Sequence, residues 1–202
     1  MLTVRNLAVA GIAPFDLDID SGECVALTGP SGSGKTLVLR ALADLDPNEG
    51  EVSLDGAPRM AVGAPDWRRR VAYLSAEPGW WEERVAPHFP DGEATMALLA
   101  FLGLPPDLLD QSVATVSTGE RHRLALVRIL LLEPRVLLLD EPTSGLDDIA
   151  AGRVEAILAE RLSGDVSILL VTHDLQLAER LAHRRLRIRD GALGRDAEFD
   201  SS

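Results

Sequence analysis

A glycine-rich octapeptide near the N-terminus, GPSGSGKT at 29–36, combines residue types that bind phosphate. Glycine permits close backbone approach, so consecutive N–H groups can point at phosphate oxygens at the start of a helix. Lys35 adds a positive charge that can reach the β and γ phosphates, and Thr36 a hydroxyl for Mg²⁺. The spacing G-x-x-x-x-G-K-T therefore predicts a nucleoside triphosphate site. The predicted binding residues are Gly29, Pro30, Ser31, Gly32, Ser33, Gly34, Lys35 and Thr36.

Lys35 is unusual because every other basic residue, lysine and arginine counted together, is an arginine. Of the 20 lysine and arginine residues, 19 are arginine, and Lys35 is the single lysine. Arginine is a planar fork and lysine a compact charge on a thin stem, so a tight site can reject arginine. The alternative is a glycine-rich turn that binds nothing. An apolar strand predicted at 25–28 and a helix predicted at 35–45 place the motif in the context that phosphate binding requires.

Acidic residues follow a second apolar segment, VLLLD at 136–140. Such a run is typical of an inner strand in a parallel sheet, where ligands lie beyond the carboxyl ends of the strands. Asp140 is predicted to help hold Mg²⁺, and Glu141 to orient or deprotonate the attacking water. His173 follows a third apolar segment, SILLV at 167–171. The predicted catalytic residues are Glu141, His173 and Lys35; the alternatives are solvated carboxylates and a structural histidine.

Composition limits the class of protein. The chain has 202 residues, enough for one compact unit, and its net charge of −12 disfavours nucleic acid as the main partner. No apolar run approaches the roughly 18–20 residues of a membrane span, and the N-terminus lacks the pattern of a signal peptide. Cys24 is the single cysteine, expected as a small buried residue before a strand. We therefore expect a cytoplasmic location.

Several motifs, in their order along the chain, resemble those of the nucleotide-binding subunit of an ABC transporter. They are the phosphate loop at 29–36, a signature segment at 116–120, the acidic strand end at 136–141, a D-loop at 144–147 and the histidine at 173. Ser117 to Glu120 (STGE) stands where the family carries LSGGQ. The same residues form S-x-x-E, which predicts a capping box at the start of an amphipathic helix. The resemblance implies a P-loop ATPase core with a mainly parallel sheet, N-terminal antiparallel strands and a short inserted helical lobe.

The resemblance also implies cofactors and partners. ATP and Mg²⁺ would bind between two copies arranged head to tail, with Ser117, Gly119 and Glu120 of one copy meeting the nucleotide of the other. Asp147 would belong to the D-loop. The dimer would drive a separately encoded transmembrane permease subunit, so the chain is expected to be peripheral on the inner face of the cell membrane. One domain is expected over 1–202, with an ATPase core at about 1–75 and 117–202 and a lobe at about 76–116.

Three positions depart from the family pattern. Ala76 stands where the Q-loop glutamine is expected, and a methyl group can neither touch Mg²⁺ nor relay the nucleotide state, so we expect slow turnover or coupling by another route, with Glu77 as one substitute. Thr118 replaces a signature glycine, which predicts a weaker dimer. No aromatic residue for stacking on adenine occurs at 9–13, and Phe15 is expected in the core.

The lobe contains an unusual aromatic pair, Trp80 and Trp81, just after the Q-loop position. Tryptophan is enriched in interface hot spots, so at least one is predicted to dock on a cytoplasmic helix of the membrane partner. The alternative is that one fills the lobe's core and the other covers its rim. The lobe's main helix is expected at 93–102. The basic segment at 183–195 is predicted to be a hairpin with one charged face, followed by a loose tail after Arg195.

Two other functions remain open from the sequence. One is an ABC-type ATPase of DNA repair or translation, without a membrane partner. The other is a nucleotide-gated binding module that hardly hydrolyses ATP, because of Ala76 and Thr118. Release of phosphate separates the second from the first and from the transporter subunit.

Overall fold

The N-terminal part of the chain forms an antiparallel sheet with the strand order β2-β1-β4-β5. We describe residues 1–196 from a computed structural model; the tail expected after Arg195 lies, apart from Asp196, outside these residues. The antiparallel strands are β1 (Leu2–Val9), β2 (Ile12–Ile19), β4 (Glu49–Leu54) and β5 (Ala57–Pro58). In β2 the apolar side chains alternate with exposed ones, so one face of this sheet packs on the core.

A second sheet positions the predicted chemistry. Its order is β10-β9-β3-β8-β7-β6, and all neighbours are parallel except the β9–β10 hairpin. The strands are β3 (Cys24–Thr28), β6 (Val71–Leu74), β7 (Val136–Asp140), β8 (Ser167–Val171), β9 (Arg184–Arg189) and β10 (Ala192–Arg195). Every residue of β7 and β8 is buried, as the uninterrupted apolar runs predict. The expected mainly parallel sheet is therefore confirmed.

Helices cover both faces of the parallel sheet. They are α1 (Lys35–Leu42), α2 (Ala64–Arg70), α3 (Glu93–Phe101), α4 (Thr118–Leu130), α5 (Asp148–Ser163) and α6 (Leu175–Leu181). Helix α1 ends at Leu42, three residues before the predicted end. Asp44 has a left-handed backbone with φ of 58°, and its N–H bonds to the Ala41 carbonyl, which closes the helix.

Alternate residues of the central strands face two buried clusters. Val136 and Leu138 of β7 join a first cluster with α1 and the antiparallel sheet. Leu137 and Leu139 join a second cluster with α4, α5 and α6. The period of two along each strand thus produces three layers from an all-apolar sequence. Cys24 and Phe15 are buried, as expected.

The segment at about 76–116 contains α3 and two 3-10 turns, Ala86–His88 and Pro106–Asp110. Its apolar residues, including Val85 and Leu99, pack into the second buried cluster. Its separation from an ATPase core stays a prediction. The hairpin turn at Asp190 and Gly191 has positive φ at both residues, which matches the predicted two-strand hairpin. Within residues 1–196, none of the helices has the length and apolar character to cross a membrane.

Candidate active site

The phosphate loop connects β3 to α1 and needs glycine at two positions. Gly29 has φ of 146°, and a Cβ there would lie 2.7 Å from the carbonyl oxygen of Ile188. Gly34 has φ of 100°, and its Cβ would lie 2.8 Å from Ile12 Cδ1. Ser33 Oγ is buried and has no hydrogen-bond partner within the described chain. An unpaired buried hydroxyl, in a loop where an added Cβ at Gly29 or Gly34 would collide with a neighbour, fits a bound polar ligand.

Lys35 begins α1 and is only 8% exposed. Its Nζ donates to the carbonyl oxygens of Gly29, at 2.8 Å, and Pro30, at 2.9 Å. Because an ammonium has three donors, one N–H remains for a phosphate oxygen. The loop's own carbonyls thus hold the charge in place before any ligand arrives.

Asp140 is the last residue of β7 and is 4% exposed. Its Oδ2 accepts hydrogen bonds from Thr36 Oγ1, at 2.6 Å, and from the Tyr73 hydroxyl, at 3.4 Å. Among the ion pairs of residues 1–196, none involves Asp140. A buried carboxylate without a cationic partner is costly, and two adjacent oxygen donors suit a hard divalent cation. Thr36 and Asp140 therefore fit Mg²⁺.

Glu141 follows directly and has an uncommon backbone, with φ of 53°. Two contacts hold this conformation: its N–H donates to the Val171 carbonyl oxygen at 2.8 Å, and its Oε2 accepts from the His173 N–H at 3.1 Å. Glu141 Oε1 lies 3.4 Å from His173 Nε2. The strand ends thus bring the predicted base and the predicted histidine together.

These side chains surround one cavity of about 380 Å³. Its lining residues are Ser31, Gly32, Gly34, Lys35, Thr36, Leu37, Ala76, Asp140, Glu141, Val171 and His173. Gly29 and Pro30 instead line a neighbouring cavity, which His173 also borders. Four chemically distinct functions therefore meet here: a cation, a hydroxyl, two carboxylates and an imidazole. This set can bind a phosphate chain and activate a water molecule.

Ala76, and not Glu77, lines the cavity. Glu77 is exposed, and its N–H donates to Ser75 Oγ at 3.3 Å. The carboxylate of Glu77 is therefore not poised at the site in this structure. Its suggested substitution for the missing glutamine stays a prediction that this geometry does not favour.

The signature segment forms the predicted capping box at the start of α4. Ser117 Oγ accepts from the Glu120 N–H at 3.3 Å, and Glu120 Oε2 accepts from the Ser117 hydroxyl at 2.6 Å and N–H at 3.0 Å. The Ser117 hydroxyl and then its N–H hold the pKa of Glu120 below its usual value. Thr118 Oγ1 accepts from Arg121 at 3.3 Å. The predicted contact of this segment with a second copy's nucleotide stays a prediction.

The D-loop packs against the signature. A Cβ on Gly119 would lie 3.2 Å from Leu146 Cδ2, so the two segments are in close contact. Asp147 caps α5 by accepting from the Ala150 N–H at 2.8 Å. Neither Asp147 nor any of the signature residues lines the cavity. Within one chain they lie apart from the phosphate loop's ligand side.

The tryptophan pair divides between the core and the surface. Trp80 is half-buried against the second cluster, whereas Trp81 is 66% exposed. The Arg128 guanidinium lies over both rings, 5.0 Å and 4.8 Å from their centroids, and donates to the Gly79 carbonyl oxygen. Burial lowers the pKa of Arg128. His88 packs edge-on against both indoles, and its Nε2 accepts from the N–H groups of Trp81 and Glu82.

Sequence reasoning missed three of these contributors: Tyr73, His88 and Arg128. Tyr73 lies near the carboxyl end of β6, so the rule that pointed to Asp140 and His173 could have indicated it. Arg128 is far from the tryptophans in the sequence, and His88 is separated from them by an irregular segment. No local pattern in the sequence indicates that these side chains are in contact.

Comparison with known proteins gives the chain's relatives. A family model described as "ABC transporter" matches residues 12–144. Phosphate import ATP-binding protein PstB 2 of Natronomonas pharaonis is 34% identical, over 94% of this chain and 79% of its own length. Aliphatic sulfonates import ATP-binding protein SsuB 2 of Pseudomonas savastanoi pv. phaseolicola is 39% identical, over 92% of this chain and 68% of its own length.

A solved structure extends the agreement to the whole fold. The structure titled "Structure of ATP binding subunit of ABC transporter" superposes with a TM-score of 0.87, at 27% identity, over 100% of this chain and 92% of that one. The sequence motifs, the fold and the geometry of the site all indicate the same family. The chain therefore belongs to the ABC transporter family, as one of its ATP-binding, ATP-hydrolysing subunits.

Proposed function

We propose that this chain binds MgATP in the 380 Å³ cavity, pairs with a second copy around two nucleotides, and drives a separately encoded membrane-spanning subunit. The observation that carries the proposal is the convergence of Lys35, the Thr36–Asp140 pair and the Glu141–His173 pair on one cavity. A structural ion-pair network would not need a loop that excludes side chains at Gly29 and Gly34.

Each residue has a role in this proposal. Backbone N–H groups of the loop and the third donor of Lys35 bind the phosphates. Thr36 and Asp140 hold the Mg²⁺, which when bound neutralises phosphate charge. Glu141 orients the attacking water and accepts its proton, and His173 keeps the carboxylate in position through the 3.1 Å and 3.4 Å contacts.

The partners are proposed from residues that do not line the chain's own nucleotide cavity. Ser117, Gly119, Glu120 and Asp147 do not line the chain's own cavity, which fits contact with a nucleotide held by a second copy. Trp81 is exposed and lies beside Arg128. Within the described residues, Arg128 forms no ion pair. An exposed indole backed by a cation without a carboxylate partner suits a cytoplasmic helix of a membrane protein that carries an acidic residue. Trp80 supports this surface from below. The chain would then be peripheral to the membrane.

Hydrolysis is proposed to be slow. The methyl group of Ala76 stands at the cavity wall, where it offers no hydrogen bond to water or metal. The exposed Glu77 does not replace it. Thr118 adds a side chain, bonded to Arg121, on the face proposed to meet the second copy, which weakens the dimer.

Glu141→Gln tests the catalytic assignment. Loss of a general base lowers phosphate release roughly 10²–10⁴-fold, while the amide retains the size and one acceptor, so ATP binding persists. Glu51→Gln, an exposed glutamate on β4, is the matched control and should release phosphate at the wild-type rate. Hydrolysis near the wild-type rate in Glu141→Gln would remove Glu141 from the mechanism. Absence of hydrolysis in the wild-type chain would favour the nucleotide-gated binding module.

Purification from detergent-solubilised membranes of the host tests the partner. The expected result is one multi-span protein that accompanies the chain and stimulates its phosphate release. Recovery of soluble proteins alone would favour an ATPase of DNA repair or translation. In that case the residues of the cavity keep their roles and the membrane partner is rejected.

A further inference from the structure

The C-terminal end of α3 is held by side chains from two other helices. The helix closes at Gly103, which has a left-handed backbone with φ of 67°. The Gly103 N–H donates to the Ala100 carbonyl oxygen at 3.1 Å, and the Leu104 N–H donates to that of Leu99 at 2.8 Å. The last carbonyls of a helix need donors from outside it, and two arginines supply them here.

Arg153 of α5 reaches this helix end from one side. Its Nη1 donates to the carbonyl oxygens of Ala100 and Phe101, both at 3.5 Å. A Cβ on Gly103 would collide with the guanidinium, so the glycine permits this close approach. Arg153 is exposed, and both hydrogen bonds are long. These bonds cap α3 and involve no residue of the signature segment.

Arg123 of α4 holds the same helix end from the side of the signature segment. Its Nη1 donates to the Leu102 carbonyl oxygen at 2.8 Å and to that of Gly103 at 3.5 Å. Its Nε donates to the Gly119 carbonyl oxygen at 3.3 Å. A cation at the last carbonyls of a helix also compensates the negative end of the helix dipole. The Arg123 guanidinium therefore bridges the last turn of α3 and the first turn of α4.

Gly119 is in contact on two sides. Its carbonyl oxygen accepts from Arg123, and a Cβ on Gly119 would lie 3.2 Å from Leu146 Cδ2 in the D-loop. The capping box of Ser117 and Glu120 fixes the conformation of the turn itself. A capping box is local, however, and does not determine where the turn lies relative to α3. The Arg123 bridge is a directional contact that does.

We infer that Arg123 is a positioning residue for the signature segment: through the Leu102 and Gly119 carbonyls it holds the first turn of α4 where the second copy's nucleotide binds. The inference rests on the proposed pairing of two copies around two nucleotides. A turn that is already fixed loses less conformational entropy on association, so the bridge strengthens the dimer. An arginine that only caps α3 would stabilise the fold and leave the affinity of the dimer unchanged.

Three variants, each made in a Glu141→Gln background that preserves ATP, isolate the bridge. Arg123→Met removes the guanidinium and keeps a long unbranched side chain. Arg123→Lys keeps the charge but not the fork that reaches two carbonyl oxygens. Arg153→Met is the matched control, because it makes the same substitution at the same end of α3 without a contact to the signature segment. Thermal unfolding gives a temperature at which every variant is folded.

Three measurements are made at that temperature. Sedimentation velocity with MgATP gives the dissociation constant of the dimer, calorimetry with MgADP gives the nucleotide affinity of the single chain, and hydrogen–deuterium exchange of the nucleotide-free chain reports on residues 116–120. Arg123→Met and Arg123→Lys should each weaken the dimer about tenfold, the scale of one hydrogen bond from a charged donor. The MgADP affinity should not change. Exchange at 116–120 should rise in Arg123→Met, whereas Arg153→Met should match the parent in the dimer and at 116–120.

The outcomes separate the bridge from the proposed pairing. If the Glu141→Gln parent dimerises with ATP and Arg123→Met changes neither the dissociation constant nor the exchange, the inference is wrong and the pairing stands. If Arg153→Met weakens the dimer as much as Arg123→Met, capping of α3 is responsible and the bridge is rejected. If Arg123→Lys dimerises like the parent, the charge acts and the bridge is likewise rejected. If the parent forms no dimer with ATP, the proposed pairing fails and the inference fails with it.

Discussion

Trp81→Ala should separate stability from partner binding, because the indole is 66% exposed in the isolated chain. A tryptophan buries up to about 250 Å² in a core, so the covered third of Trp81 corresponds to roughly 80 Å², or about 2 kcal/mol at most. The free energy of unfolding should therefore fall by no more than this amount. The remaining two-thirds are free to be covered by a partner.

The expected loss of partner affinity is larger. If the membrane subunit covers the remaining roughly 170 Å², removal of the ring costs about 2–4 kcal/mol of binding, which is at least 30-fold in the dissociation constant. Trp80→Ala should show the opposite balance, because Trp80 is half-buried against the second cluster and supports the loop. Its main effect is a loss of stability, about 2–4 kcal/mol.

Chemical denaturation of the isolated chain and biolayer interferometry against the detergent-solubilised membrane subunit measure the two quantities. Met60→Ala is the control, since Met60 is 89% exposed and lies outside the segment 76–116. An affinity of Trp81→Ala within twofold of the Met60→Ala affinity would refute the docking assignment. A loss of stability above about 3 kcal/mol in Trp81→Ala would refute the division of the pair into a buried and an exposed member.

Three further predictions concern other parts of the chain. Burial raises the pKa of Cys24 to about 12, so maleimide at pH 8 should label this thiol only after denaturation, and rapid labelling of the native chain would contradict the burial. Glu120→Gln keeps an acceptor for the Ser117 N–H and removes a negative charge from the face proposed to meet ATP; sedimentation of a hydrolysis-deficient background should show several-fold stronger ATP-dependent dimerisation at low salt, and no change would exclude this repulsion. Arg59→Met removes a buried donor to the Ala41 carbonyl at the end of α1, and urea unfolding should show a loss of about 2–4 kcal/mol, whereas a loss below 1 kcal/mol would mean that water replaces the contact.

Local patterns determined what the sequence could predict. The phosphate loop, the strands before Asp140 and His173, and the capping box of Ser117 each depend on residues within a few positions of one another. Such features follow from glycine geometry, apolar runs and hydrogen-bond capacity, which the amino-acid types state directly. Ligands of parallel sheets lie beyond the carboxyl ends of the strands, so the sequence also predicted that these strand ends meet at one site.

Contacts between distant segments were not predictable in the same way. The Arg128 side chain contacts Gly79, 49 positions away in the sequence, and both tryptophans, because the segment 76–116 packs against α4. The extra hydrogen bond from Tyr73 to Asp140 needs the β6–β7 register, which no local pattern specifies. Even the early end of α1 depends on Asp44 adopting a left-handed backbone.

Charge balance supports the proposed use of a divalent cation in the binding of a triphosphate. Its lining carries one positive side chain, Lys35, and two carboxylates, Asp140 and Glu141, so with a neutral His173 the formal sum is −1. Lys35 donates to two carbonyl oxygens of the phosphate loop and, among the ion pairs of residues 1–196, forms none with Asp140. A triphosphate brought beside these groups adds several negative charges, which the two carboxylates repel. Thr36 and Asp140 supply oxygen ligands but no positive charge to offset this repulsion. The proposed Mg²⁺ would therefore contribute to the binding of the nucleotide as well as to catalysis.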